Sequence, residues 1–260
     1  MLGAIAGDVV GSVYERHNVK SKDFVLFPEG SRFTDDTVLT LALAQSLLTG
    51  EEYGAVMRAY HARYPDAGYG PTFSAWVESA PGDPAPRSHS NGAAMRIGPV
   101  AWACDTLAEV GEAARRYTIV THDHPEAVRG AQAVAAAIHL ARRGASKDEI
   151  GRHVVQTCGY DLSVPLDVVR PGYTFDVSCA GTVPHAIRAF LEANDFEDAL
   201  RNAISIGGDS DTLACIAGAI AEPYFGGVPD AIAACVWRAL DAPLTTVLRD
   251  FIAAYGPTPA

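Results

Sequence analysis

The chain has 260 residues, 48% hydrophobic and 20% charged, which suits one sizeable globular domain spanning residues 1–260. Its net charge of −11 and pI of about 5.1 argue against nucleic acid or an anionic membrane as the main partner, because both need positive surface. No run reaches the ~18 uninterrupted apolar residues of a membrane span, the stretch from Met1 to Val13 carries Asp8 and no basic segment, and the five cysteines lack CxxC spacing, so a cytoplasmic, disulfide-free, monomeric protein is expected.

Residues 3–15, GAIAGDVVGSVYE, place small residues at 3, 7 and 11, a helical spacing that lets another helix approach closely. Asp8 and Glu15 are seven apart and share nearly the same face. A carboxylate on so apolar a face is costly when buried alone, so Asp8 calls for a partner or a cation. Residues 16–33 are polar and broken by Pro28, Glu29 and Gly30, and they read as a loop between Glu15 and the acids that follow. Thr34 is the expected N-cap of a helix over 34–49, with Asp35 and Asp36 in the first turn and Gly50 closing it. Its body, VLTLALAQSLL, is apolar nearly all round, which predicts a central helix. Further helices are predicted over 51–64, 72–79, 93–110 (interrupted by Pro99), from THDHPE to Gly144, and over 146–158, 182–193, 196–206, 212–221 and parts of 229–255. Only YTFDVS, residues 173–178, reads as extended. A period near 3.6 almost everywhere gives an all-α fold class.

Two stretches carry the chemistry. Thr34-Asp35-Asp36-Thr37 opens one apolar helix, and Gly207-Gly208-Asp209-Ser210-Asp211-Thr212 opens another. Asp209 and Asp211 point the same way in an extended segment, which the two glycines allow. Brought together, the two helix mouths present four carboxylates with the hydroxyls of Thr34, Thr37 and Thr212. Such acids repel unless cations neutralise them. Oxygen ligands without histidine or cysteine select Mg²⁺, Mn²⁺ or Ca²⁺ over zinc, and this ligand number suits two ions. The plainer alternative is a pair of N-cap boxes with no ligand. Both motifs occurring together, each before a fully apolar helix, favours metal. There is no nucleophile elbow, HExxH or P-loop, which leaves metal-assisted hydrolysis as the best-supported reaction class.

In this order, GAIAGDVVGSVYE, FTDDTVLT, SNGAAMR, THDHPEA and GGDSDTLACIAGAIAE resemble the ADP-ribosylglycohydrolase family, which includes the dinitrogenase-reductase-activating glycohydrolases. The likeness runs from Gly3 to about Gly227. It implies a compact orthogonal multi-helix fold, a centre of two Mg²⁺ or Mn²⁺ ions, and hydrolysis of the bond from the distal ribose C1″ of ADP-ribose to an acceptor. It implies Thr34, Asp35, Asp36, Asp209, Asp211 and Thr212 as metal ligands, with Asp35 and Asp36 serving catalysis by holding metal and substrate. Glu15, in Gly11-Ser12-Val13-Tyr14-Glu15, matches a glutamate of the branch that cleaves O-linked ADP-ribose, and it is the candidate general acid or base. Its plainer reading is a surface glutamate ending a helix. Asp8 is expected to hold backbone or a ligand in place.

Ser88-His89-Ser90-Asn91-Gly92 resembles the family's diphosphate loop, although some relatives carry tyrosine and glycine at the positions of His89 and Ser90. His122 matches the histidine of the THxxP segment, expected near substrate. Ser178 and Cys179 are expected on the ribose side, and Tyr173 or Phe175 against adenine. The resemblance gives as substrate an ADP-ribosylated protein, with serine or another O-linkage ahead of arginine, or else a free ADP-ribose 1″-derivative. A non-catalytic role is the remaining alternative, since the family also resembles the lens crystallins of jellyfish; the presence of all six candidate ligands speaks against it.

Overall fold

The computed structural model describes residues 1–80 and 82–256. Among them are fifteen helices and no strand. In chain order they are α1 (Leu2–Gly11), α2 (Asp35–Thr49), α3 (Tyr53–Arg63), α4 (Pro71–Glu78), α5 (Gly92–Met95), α6 (Gly98–Ala103), α7 (Leu107–Thr118), α8 (Pro125–Arg142), α9 (Lys147–Cys158), α10 (Leu166–Val169), α11 (Cys179–Glu192), α12 (Phe196–Ile204), α13 (Ser210–Tyr224), α14 (Asp230–Ala239) and α15 (Ala242–Tyr255). None is long and apolar enough to cross a membrane. All five cysteines are free.

The glycine spacing of α1 sets the centre of the molecule. α1 lies against α13, and every residue of α1 is buried. A Cβ on Gly3 would stand 2.3 Å from the Gly218 oxygen, one on Gly7 2.0 Å from the Ala214 oxygen, and one on Gly11 2.4 Å from the Asp211 Cα. The backbones approach so closely that only hydrogen fits at these three positions. α13 also packs on α8, α11 and α12, while α2 is covered by α3, α6 and α15. The buried apolar side chains form one continuous cluster around these helices. α1 therefore touches both helices whose first turns carry the acids.

Three departures from the periodicity reading have physical causes. The helix predicted over 3–15 stops at Gly11. Beyond it, Tyr14 and Glu15 donate to the Gly11 carbonyl as a turn, and Asn18 Nδ2 donates to the Tyr14 and Glu15 carbonyls at 2.6 and 3.0 Å in place of a helical ladder. The stretch 93–110 breaks into α5, α6 and α7. Pro99 lies in the first turn of α6, and a capping box between Thr106 and Glu109 starts α7, which runs on to Thr118. α11 begins at Cys179 rather than Thr182, because the Ser178 hydroxyl caps it by accepting from Gly181 N–H at 3.0 Å. The helices over 34–49 and 146–158 end on Gly50 and Gly159 in the left-handed conformation, as the sequence indicates for Gly50.

Candidate metal and substrate site

α2 and α13 begin beside each other at the C-terminal end of α1. Thr34 caps α2, its hydroxyl accepting from Asp36 N–H at 3.4 Å. Asp209 holds the capping position of α13 but caps nothing; its carboxylate accepts instead from Asn91 Nδ2 at 2.7 Å. Before it, Gly207 and Gly208 are both left-handed, with φ +77 and +74, and a Cβ on Gly208 would stand 2.6 Å from the Tyr173 ring. Conformation and space both demand glycine there.

Two overlapping groups of acids result. Asp8, Asp36 and Asp211 form one, and Glu15, Asp209 and Asp211 the other, each offering oxygens within 4.8 Å of one another. Among the described residues none of these five acids joins an ion pair. Asp36 Oδ1 is buried without a hydrogen-bond partner, while Asp36 Oδ2 accepts from Thr212 Oγ1 at 3.4 Å and lies 3.5 Å from Thr34 Oγ1, whose proton goes to Asp8. Burial pushes the Asp36 and Asp211 carboxyls well above the usual range, and the charges of Asp8 and Asp209 respectively push them further. Burial and then Asp8 raise Asp35 to about 8. Glu15 is raised by burial and then by Asp209, against the opposing pull of Arg16 and Arg32. An all-oxygen donor set, an orphaned carboxylate oxygen and acids held above their range fit a hard divalent cation.

Asp8 stands apart from the other acids in its bonding. It is wholly buried, and its carboxylate accepts from Thr34 N–H at 2.9 Å, Thr34 Oγ1 at 2.7 Å, Thr37 N–H at 3.1 Å and also Thr37 Oγ1. It thereby fastens the first turn of α2 to α1. Asp35 belongs to neither acid group; it faces Gly68, and its N–H donates to the Ala67 carbonyl at 2.9 Å.

The acids form one wall of a cavity of about 430 Å³ that is also lined by Ser88, Ser90, Asn91, His122 and Thr212. Tyr69 and Phe73, stacked with centroids 5.2 Å apart, line it too, as does Phe175, which is 56% exposed. The segment YTFDVS forms no strand; its end meets the Ser88 loop in a single bridge between Ser178 and Ser90, where Asn91 N–H donates to Val177 O at 2.7 Å and Cys179 N–H to His89 O at 3.0 Å. His89 and Ser178 lie outside this lining. The His89 ring sits 5.5 Å from that of His124, and Ser178 is occupied as the cap of α11. Tyr173 is outside the lining as well, its hydroxyl donating to the Gly181 carbonyl at 3.0 Å. Thr34 lies on a second cavity of about 310 Å³, which meets the first at Glu15, Gly68 and Asp211 and is flanked by Arg16, His17 and Arg32.

A family model for ADP-ribosylglycohydrolase matches residues 1–236. The chain belongs to the ADP-ribosylglycohydrolase family. It is 30% identical to the ADP-ribosylhydrolase ARH3 of Mus musculus, with 87% of this chain and 82% of that protein covered. The ADP-ribosylarginine hydrolase Tri1 of Pseudomonas putida (strain GB-1) is 27% identical, with 88% and 71% covered. A solved structure of an ADP-ribosylglycohydrolase-related protein complex superposes with a TM-score of 0.70 at 27% identity, covering 97% of this chain and 96% of that one. The all-α reading and the family resemblance drawn from the motifs agree with these likenesses.

This ADP-ribosylglycohydrolase builds its site with residues that no motif reading singled out. Asn18, in the polar loop, accepts from Gly208 N–H at 2.7 Å and donates to Gly208 O at 3.0 Å while also holding Glu15 O. It clamps the Glu15 turn to the glycine turn before Asp209, and a loop asparagine gives no sign of that. Arg96 is 2% exposed on the cavity floor, and Thr121 is buried beside it. A lone arginine inside the apolar run AAMRIGPVA is the signal that could have found it. For Tyr69 and Phe73, the signal that could have found them is an aromatic pair four apart flanking Gly70-Pro71.

Proposed function

We propose that this enzyme releases ADP-ribose from modified protein side chains by metal-dependent hydrolysis of the C1″ bond, with serine or other O-linked acceptors preferred over arginine. The observation that carries the reading is the pair of acid groups sharing Asp211 in the wall of a cavity of about 430 Å³, a size suited to a nucleotide-like ligand. Asp36, Asp209 and Asp211 with the hydroxyls of Thr34 and Thr212 are the residues that would hold two Mg²⁺ or Mn²⁺ ions, Asp35 contributing from the α2 side. A divalent cation bound there supplies the positive charge that keeps these acids ionised and orients ribose hydroxyls. Tyr69, Phe73 and Phe175 offer faces for a nucleobase. Ser88, Ser90 and the Gly92 backbone offer neutral donors to a diphosphate.

Glu15 is the acid–base group in this scheme. It stands where the two cavities meet, and burial raises its carboxyl, so it can hold a proton next to the departing acceptor. A serine alkoxide needs that proton as the bond breaks, whereas a guanidine leaves from a group that already carries charge. That need supports the preference for O-linkages.

Defined Ser-linked, Arg-linked and DNA-linked ADP-ribose substrates, each with Mg²⁺ and with chelator, test the proposal. Release from the serine conjugate in Mg²⁺, lost in chelator and in Asp35→Asn and Asp209→Asn, is expected. Full activity of both variants, or in chelator, refutes the metal role. Turnover of free 1″-esters with none on modified protein would move the substrate to small conjugates.

A further inference from the structure

Behind the Ser88–Gly92 loop lies a chain of polar groups that leaves the acid cluster untouched. His122 is 4% exposed, Thr121 1% and Arg96 2%. Arg96 Nη2 donates to Thr121 Oγ1 and lies 3.4 Å from His122 Nδ1; Thr121 Oγ1 is 2.8 Å from the same nitrogen. On the far side of the ring, His122 Nε2 is 2.9 Å from Ser90 Oγ, which is 3.0 Å from Ser88 Oγ. Ser88 and Ser90 both face the cavity.

The direction of these bonds follows from the chemistry of the groups. A guanidinium has no lone pair to offer, so it donates to whatever it meets. Thr121 Oγ1 already accepts from Arg96, and its own proton turns to His122 Nδ1. With Nδ1 accepting, the ring proton sits on Nε2, and Nε2–H donates to Ser90 Oγ. Arg96 Nη2, 3.4 Å from Nδ1, points N–H at the ring and offers no lone pair, so its charge favours a lone pair on Nδ1 over a proton there. Burial, then the Arg96 charge, holds the imidazolium form of His122 well out of reach.

We propose that Arg96, Thr121 and His122 are positioning residues that fix the Ser90 hydroxyl as a hydrogen-bond donor, directed through Ser88 or straight into the cavity at an acceptor-only oxygen of the ligand, such as a phosphoryl oxygen. Two consequences separate this from a generic polar loop. Ser90 is not a nucleophile awaiting a base, because the nitrogen facing it carries a proton and cannot take another. The loop also prefers a ligand oxygen without a hydrogen at this point, so a hydroxyl there is bound less well than an anionic oxygen. The identity of that oxygen rests on the ADP-ribose reading above; the direction of the bonds does not.

The test starts on the unliganded full chain. With ¹⁵N-labelled histidine, and His122 assigned by its disappearance in His122→Gln, the expected spectrum shows an unprotonated Nδ1 and a protonated Nε2 at neutral pH. A proton on Nδ1, or on both nitrogens, overturns the proposal. ADP-ribose affinity by calorimetry then reads the consequence. His122→Phe and Ser90→Ala should weaken binding by roughly ten- to a hundredfold, while His122→Gln, which keeps an N–H near Nε2, should recover most of it. Unchanged affinity in both Ser90→Ala and His122→Phe also overturns it. Should His122→Phe not fold, the spectrum and Ser90→Ala decide. Failure of the wild-type chain to bind ADP-ribose sinks the functional reading alone, and the spectrum still decides the bond directions.

Discussion

Replacing Asp8 separates what its charge does from what its oxygens do. In Asp8→Ala the N–H groups of Thr34 and Thr37 lose their acceptor, at 2.9 and 3.1 Å, in a fully buried setting. A buried donor left unpaired costs about 1–3 kcal/mol, so two cost about 2–6 kcal/mol. The hydroxyls need not be counted, since Thr34 Oγ1 already has Asp36 Oδ2 at 3.5 Å to turn to and Thr37 Oγ1, freed of Asp8, can rotate to a backbone carbonyl one turn back. Set against this, the substitution removes a carboxylate that raises Asp35 and Asp36, which relieves repulsion. Asp8→Asn gives the same relief but keeps an oxygen for both N–H groups, while its new amide donates to Thr34 Oγ1. Urea unfolding in chelator, followed by tryptophan fluorescence, should therefore find the alanine variant less stable than the asparagine variant by about 2–6 kcal/mol. A difference under about 1 kcal/mol would show that these bonds do not fasten α2 to α1 and would refute the reasoning.

Gly11→Ala should lower Mn²⁺ affinity in calorimetry and abolish metal-dependent turnover, because its Cβ would stand 2.4 Å from the Asp211 Cα and the backbone there must move; unchanged Mn²⁺ binding would count against Asp211 as a ligand. Gly7→Ala, 2.0 Å from the Ala214 oxygen, should cost about 1–3 kcal/mol or more in urea unfolding without touching an acid, and a neutral result would mean that α1 and α13 can part freely. Glu15→Gln should cut kcat on the serine conjugate about 10²–10⁴-fold with ADP-ribose affinity nearly kept; an unchanged kcat removes Glu15 from proton transfer. For the metal-free protein the pH dependence has a definite sign. Asp35 rises from 3.8 to about 8 on folding, so between those values the native state holds a proton that the unfolded chain has released. Stability is then highest at the acid end of that window and falls as pH climbs towards 8, and Asp36 and Asp211 act in the same direction. Melting in chelator at pH 5 and pH 8 should show the loss, and Mg²⁺ should restore more at pH 8; equal melting temperatures at both pH values, with and without Mg²⁺, would contradict it.

What could be read in advance was whatever repeats or clashes locally. The spacing of Gly3, Gly7 and Gly11 announces a close helix crossing, and the structure supplies α13 as the neighbour. Two acid-rich helix starts announce each other, since so many carboxylates before apolar helices call for a common solution. The stretch from 93 to 118 was less legible, because small apolar residues continue across the joints and only Pro99 and the Thr106–Glu109 box mark them. Groups whose meaning lies in distant partners were not legible at all. Asn18 matters through Gly208, 190 positions away; Asn91 was read as part of the Ser88–Gly92 loop, but its hold on Asp209, 118 positions away, was not. Ser178 looked available to a ligand until its hydroxyl proved to be the cap of α11.

The acid cluster gains its geometry from backbone rather than from side-chain flexibility. α1 reaches α2 through Asp8, which bonds the N–H groups of Thr34 and Thr37. It reaches α13 through Gly11, whose missing side chain lets the Asp211 backbone come close. One buried helix thus sets the separation of Asp36 from Asp211, and neither end of it can slide without opening an unpaired N–H or a backbone clash. Asn18 and Asn91 then fix the remaining acids, the first by tying the Glu15 turn to Gly208 and the second by holding Asp209. Side chains alone would spread to relieve their repulsion; held at backbone level, they cannot. The same frame that keeps the metal-free acids under strain is therefore what would present a cation with ligands already in place, so that binding energy need not be used to gather them.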